Sequence, residues 1–119
     1  MTKAVKAPLR GDVVILDFNP QAGHEQAGTR PALVISADIF NATTGFIVAC
    51  PITNQVKGYP FEVPVTGSQQ TTGVVLSDQF KSLDWRSRRA RTVDSVDQAT
   101  VDAVVSFAAK IIQASCTEP

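Results

Sequence analysis

Few side chains in this sequence are suited to chemistry, and most of them fall in three stretches. The first is Asp17 to Ser36, DFNPQAGHEQAGTRPALVIS, which holds the sole histidine (His24), a carboxylate (Glu25), an amide (Gln26) and a guanidinium (Arg30). The second is the end of the apolar run FIVACPIT, with Thr53 as its last residue and Lys57 shortly after. The third is KSLDWRSRRAR, residues 81–91, with five basic groups and one acid. One histidine and scattered acids make no metal-ligand cluster. No glycine-rich phosphate loop is present, and no serine nucleophile stands at a recognisable spacing from a histidine base. What remains suits metal-free phosphodiester chemistry on RNA. There the 2′-hydroxyl must lose its proton, the phosphorane needs positive charge against its equatorial oxygens, and the 5′-oxygen needs a proton as it leaves. A carboxylate can act as base, arginine supplies fixed charge in a planar fork, and a hydroxyl can bond a non-bridging oxygen.

Each group also has a plainer reading. A histidine beside a glycine is often a solvated loop residue, and Glu25 and Arg30 are spaced to brace their own loop as an ion pair. Thr53 fits an ordinary strand hydroxyl, and RSRRAR a solvated charged face. Trp85 fits core or lid packing as well as a platform for a stacked base.

These groups need elements to hold them. Val13 to Phe18 alternates as a strand, and a second strand covers about 31–36, so the segment between them is a strand-to-strand loop. Asn19-Pro20 opens that loop, and Pro31 closes it by forcing Arg30 into an extended conformation. Its length exceeds most connections in compact domains, and long loops on a rigid scaffold tend to carry function. Ser36 is placed to cap a short helical turn, ADIFN, ended by Thr43-Thr44-Gly45. Strand three is 46–53, with Pro51 marking an edge or bulge. The remaining strands expected are 61–66, 74–76 and 90–93, with a turn around Leu83-Asp84-Trp85. Ser95 and Gln98 have capping-box spacing, and Val101, Val104, Val105, Ala108, Ile111 and Ile112 then recur as one helical stripe. The expectation is therefore a mostly β chain: a small antiparallel barrel of five to seven strands with a C-terminal amphipathic helix. It reads as a single domain, with a lead-in over 1–9, the barrel over 10–93 and the helix over 95–112.

Bulk properties agree. At 119 residues the chain buries roughly 65% of its unfolded surface, and 44% hydrophobic residues with a mean hydropathy of +0.05 fit a packed globule. Eleven basic and eleven acidic residues cancel, but residues 81–91 carry plus four (five bases less Asp84). That local patch is enough to attract phosphates. The N-terminus lacks the apolar run of a signal peptide, and no run has the length of a membrane span. Cys50 and Cys116 lie far apart. A cytoplasmic chain without disulfide, metal or cofactor is expected.

The segments RGDVVILDFNPQAGHEQAGTRPALVIS, PITNQVKGYPFEV and GVVLSDQFKSLDWRSR resemble, in order and spacing, the MazF/PemK-like toxin endoribonucleases of bacterial toxin–antitoxin pairs. The resemblance spans residues 10–112, and its stretches GxEQAGxRPAxVxS and KGYPFEV are long and specific. It implies an SH3-like barrel with a C-terminal helix, working as a homodimer on single-stranded RNA and neutralised by a cognate acidic antitoxin. By resemblance, Arg30 and Thr53 match the family's catalytic arginine and threonine, and Glu25 matches a glutamate important for activity. Lys57, Gln79 and the 81–91 stretch fall where the family binds RNA or antitoxin. The implied RNA-binding set is His24, Gln26, Thr29, Asn54, Lys57, Gln79, Lys81, Arg86, Arg88 and Arg89. Some members carry a histidine directly before the catalytic arginine; this chain has Thr29 there. The alternative on the same barrel is a non-catalytic inhibitor similar to the CcdB-type gyrase poisons, and a third reading is an RNA-binding barrel without catalysis.

Overall fold

The computed structural model of the chain describes residues 6–18 and 28–113. Seven strands appear in it: β1 (Asp12–Asp17), β2 (Thr29–Val34), β3 (Phe46–Thr53), β4 (Glu62–Pro64), β5 (Val74–Leu76), β6 (Lys81–Asp84) and β7 (Arg91–Ser95). Helix α1 (Asp38–Thr44) joins β2 to β3, and α2 (Gln98–Gln113) follows β7. Every strand pairing is antiparallel, in the order β4-β5-β3-β2-β1-β7, and β6 pairs with β3 beside β5.

Alternation along the strands divides the core in two. Val13, Leu33, Cys50, Ile52 and Val75 face Val104 and Ala108 of α2. The opposite set, Val14, Leu16, Phe18, Ala32, Val34 and Ile47, packs with Leu83 and Trp85. Burial on both faces explains why β1 and β3 read as near-continuous apolar runs rather than clean alternations. Trp85 is core, and its indole N–H donates to the Asn41 carbonyl at 2.9 Å.

Two prolines decide where the ladders on β3 end. The Ile35 N–H donates to the Val48 carbonyl, so the backbone groups of residues 48, 50 and 52 face β2 and those of 49 and 51 face the other edge. On that other edge β6 pairs with residues 46–49 and β5 with 52–53, and the register steps by three residues across the 3₁₀ turn Ser77–Gln79. Pro51 sits at that step, where its missing N–H costs no ladder bond. Toward β2 the ladder stops at Ala32 opposite Pro51, because Pro31 has no N–H to donate to Ile52.

The barrel is not closed by a ladder between β4 and β7. Carboxylates bridge the seam instead. Asp94 of β7 accepts hydrogen bonds from the backbone N–H groups of Gln69, Gln70 and Thr71 at 2.9–3.0 Å and from the Thr71 hydroxyl at 2.7 Å. Next to it the Asp97 N–H donates to the Thr66 carbonyl at 3.0 Å, and the Thr66 hydroxyl donates to the Asp97 carboxylate at 2.7 Å.

Four sequence expectations change. Residues 81–84 form a strand rather than a turn, because Leu83 is buried and the segment pairs with the start of β3; the turn lies at 85–90. Ser95 ends β7 opposite Asp12 and does not cap α2. The cap is Asp97, whose carboxylate accepts the Thr100 N–H at 2.9 Å. Ser36 caps nothing either: α1 starts without a side-chain cap, and the Ser36 hydroxyl accepts the Val48 N–H and donates to Asn41. Ile111 and Ile112 leave the apolar stripe exposed at the end of α2.

Candidate active site

The end of β3 lies between two interruptions. Past the last β2–β3 rung the same register, carried two residues on, sets Arg30 opposite Thr53 and turns both to the same face. Arg30 is half-buried and Thr53 is buried at 8% exposure. The Thr53 hydroxyl oxygen accepts the Gln55 N–H at 3.1 Å, which occupies a lone pair and leaves the O–H to donate elsewhere. On its other side Thr53 pairs with Val74 of β5.

A cleft of about 200 Å³ opens beside Thr53, lined also by Gln55, Lys57, Tyr59, Glu62, Leu76 and Gln79. The segment KGYPFEV builds one wall by holding itself. Both Glu62 oxygens accept backbone N–H groups, from Lys57 and Gly58, each at 3.0 Å. The Tyr59 hydroxyl donates to Asp78 in the 3₁₀ turn, and that bond, first among its causes, raises the phenol's pKa. The second Asp78 oxygen is buried without a hydrogen-bond partner among the described residues. Burial, aided by the Asp78 charge, pushes the Cys50 thiol up to about 12, so it is no thiolate nucleophile.

The basic run takes a separate position. Residues 85–90 form a turn in which the Arg88 and Ala90 N–H groups donate back to the Asp84 and Trp85 carbonyls. Asp84 braces it by accepting the Ser87 and Arg86 N–H groups and the Ser87 hydroxyl, which lowers its pKa. Arg86 lies over the Trp85 ring at 5.0 Å, and Arg88 donates to the Asp17 carbonyl at 2.7 Å. Arg88, Arg89 and Arg91 line a hollow of about 240 Å³ with Asp17 and Thr29.

The structure thus brings Thr53, Lys57 and Gln79 to one cleft, and Arg30 stands on β2 opposite Leu16, two residues beyond the last β2–β3 rung. It sets Thr29, Arg88 and Arg89 at a second hollow. Asn54 is tied to the neighbouring loop, its side-chain oxygen accepting the Thr72 hydroxyl at 2.9 Å. Lys81 stands on β6 opposite Ala49. His24, Glu25 and Gln26 lie outside the described residues. Sequence reasoning left out Gln55, Tyr59 and Glu62 as cleft-lining groups, although the last two sit inside the KGYPFEV stretch that stood out. Among the described residues no three His, Cys, Asp or Glu side chains group closely enough to hold a metal ion.

An open antiparallel sheet followed by a C-terminal helix is the fold of a class of small bacterial toxins. Residues 9–112 match the family described as PemK-like, MazF-like toxin of type II toxin–antitoxin system, and the chain belongs to it. It is 51% identical over 83 residues to the endoribonuclease toxin MazF of Escherichia coli (strain K12), which spans 70% of this chain and 74% of that one. It is 33% identical over 107 residues to the endoribonuclease PemK of Escherichia coli, covering 87% and 80% of the two chains. The crystal structure of MazF from Deinococcus radiodurans has a TM-score of 0.83 at 45% identity, covering 89% of this chain and 96% of that one. A MazE–MazF structure from the same organism gives 0.79 at 45% identity, covering 92% and 98%. The class of activity that goes with this family is endoribonuclease, which sets aside the gyrase-poison alternative.

Proposed function

We propose that the chain is a cytoplasmic toxin that cuts single-stranded mRNA at a specific sequence without a metal, leaving a 2′,3′-cyclic phosphate and a 5′-hydroxyl. The observation that carries this reading is the cleft that gathers Thr53, Lys57 and Gln79 at the end of β3, with the β2–β3 register, carried past its last rung, directing Arg30 to the same face. Glu25 takes the proton of the 2′-hydroxyl as that oxygen attacks phosphorus. The Arg30 guanidinium faces the charge that grows on the phosphorane, and the Thr53 O–H donates to a non-bridging oxygen. The bond to the 5′-oxygen breaks and that oxygen takes up a proton, with Arg30 as the candidate donor. Lys57 and Gln79 hold flanking nucleotides in the cleft, and His24, Gln26, Thr29, Asn54, Lys81 and the arginine turn complete the RNA contacts.

Partners follow from relatives. The Deinococcus radiodurans toxin forms a complex with MazE, and a mycobacterial endoribonuclease forms one with its cognate antitoxin. An acidic antitoxin neutralising this chain is proposed by analogy, with residues 85–91 as its electrostatic landing. A homodimer is proposed as well, because Ile39 at 75% exposure, Phe40 and Phe46 leave apolar surface around α1.

A modified substrate is the test. RNA with one deoxynucleotide immediately 5′ to the cut should bind nearly as well as natural RNA and resist cutting, and cutting of natural RNA should persist in excess EDTA. Rapid cleavage of the deoxy substrate at the same bond overturns the cyclic-phosphate route, and activity that returns only with added magnesium or zinc overturns metal independence.

A further inference from the structure

Thr53 lies one step past Ile52, so its backbone groups face β5 and not β2, whose ladder has already ended at Ala32 opposite Pro51. Its β5 flank is the pair with Val74, the first residue of β5, and immediately before Val74 runs the segment 65–73. That segment touches Thr53 once and its neighbour Asn54 once. The Thr72 hydroxyl donates to the side-chain oxygen of Asn54, the residue after Thr53. Gly73 packs so closely on the Thr53 carbonyl that a Cβ there would stand 2.2 Å from its oxygen and 2.8 Å from the Asn54 side-chain oxygen. The other end of the same segment is held by Asp94, through three consecutive backbone N–H groups and one hydroxyl. No residue separates Thr71, the last that Asp94 grips, from Thr72.

From this geometry we propose that Asp94 and Thr72 are positioning residues for Thr53: the 68–73 strap, fastened to β7 by Asp94, fixes where the Thr53 hydroxyl stands in the cleft. The inference rests on the reading of Thr53 as a catalytic group. It extends that reading to a carboxylate at the sheet seam that does not line the cleft. The amide of Asn cannot replace the Asp94 carboxylate, since it offers one acceptor oxygen where two carboxylate oxygens serve five donors, four from the strap and the Ser95 N–H, and its NH₂ would face N–H groups. A hydroxyl displaced by a fraction of an ångström still lets RNA bind, because phosphate charge pairing tolerates that movement while transition-state bonding does not. The effect therefore belongs in kcat.

The experiment is a double-mutant comparison on natural RNA, run well below the measured unfolding midpoint of each variant. Thr72→Val, which keeps size and loses only the hydroxyl, should lower kcat by about threefold to tenfold at unchanged KM. Asp94→Asn should lower it by roughly tenfold to a hundredfold. On a Thr53→Val background neither substitution should reduce the residual rate further, because the group they position is gone. If the losses multiply on that background, or appear in KM alone, or if Thr72→Val cuts at the full rate, the positioning role is wrong. Full activity of Thr53→Val by itself would refute the catalytic reading instead, so the two failures are distinguishable. Should Asp94→Asn not fold, Thr72→Val alone and in the double variant decides the matter.

Discussion

The end of β3 and the turn at 85–90 both offer groups suited to RNA, and they are built on opposite principles. At Thr53 the side chains are ordinary and the backbone is special: a proline stops one ladder, a register step and a glycine shape the other side, and a hydrogen bond from Gln55 orients the hydroxyl. At 85–90 the backbone is an ordinary turn braced by Asp84, and the side chains carry the meaning through their charge. Preorganised dipoles at the first site act over about 3 Å and ignore salt. Arginines at the second act over a Debye length of roughly 8–10 Å and fade with salt. On the proposed reading, a phosphate reacts at the first place and phosphates are gathered at the second.

The sharpest way to test that separation is Arg30→Ala. It should cost roughly a hundredfold or more in cutting rate, with only a small loss of affinity for the uncut deoxy substrate. Equal losses in rate and affinity would make Arg30 another gathering arginine. Next comes Gly73→Ala, whose Cβ would meet the Thr53 carbonyl at 2.2 Å on a backbone with φ of +106°. Strain of this kind costs about 1–3 kcal/mol, so the thermal midpoint should fall, and the rate should fall by more than the unfolded fraction explains. Replacing both Arg88 and Arg89 with Gln should weaken binding modestly and reduce the slope of log affinity against log salt by about 1.4, as expected for two lost contacts to single-stranded RNA. An unchanged slope would return the turn to a solvated face.

The smallest effect is one of acidity. Asp94 and Asp97 are held below the usual carboxylate range, Asp94 chiefly by the Gln69 N–H and Asp97 chiefly by the Thr100 N–H. A carboxyl depressed on folding adds stability that is fully present above its unfolded pKa, about 3.9, and is lost as pH falls toward its folded value. The unfolding midpoint should therefore decline below about pH 4, and Asp94→Asn should flatten that decline. A decline of the same steepness in the variant would show that Asp94 is not among its causes.

Much of the fold was legible because burial repeats at short range. The runs 13–17, 46–53 and 74–76 lie on strands, and Pro51 stands at a real interruption; Pro31, read as the close of a loop before a strand over 31–36, lies instead inside β2, opposite Ile15. What escaped depended on partners far along the chain. Lys81–Asp84 leads into a basic run and looks like a turn until β3 is beside it. Asp94 resembles any solvated acid, since its partners lie 23 to 25 residues earlier. Ser95 and Asp97 both suit a helix start, and only contact with Thr66 and Thr100 selects Asp97. Of the candidate residues, Thr53, Lys57 and Gln79 line one cleft, but spacing alone could not show that Gln55, Tyr59 and Glu62 line it with them, or that Thr29 joins Arg88 and Arg89 at another hollow.

The seam between β4 and β7 has a consequence for how the molecule behaves in a crowded solution. A sheet left open offers two rows of unpaired backbone groups, each a template on which another chain can add a strand. Here one margin is only three residues long and ends in Pro64, which has no N–H to offer, and the other has the 66–71 segment fastened along it by Asp94 and Asp97. The two aspartates do more than shape one molecule: by occupying the margin of a short, β-rich chain, they guard it against aggregation.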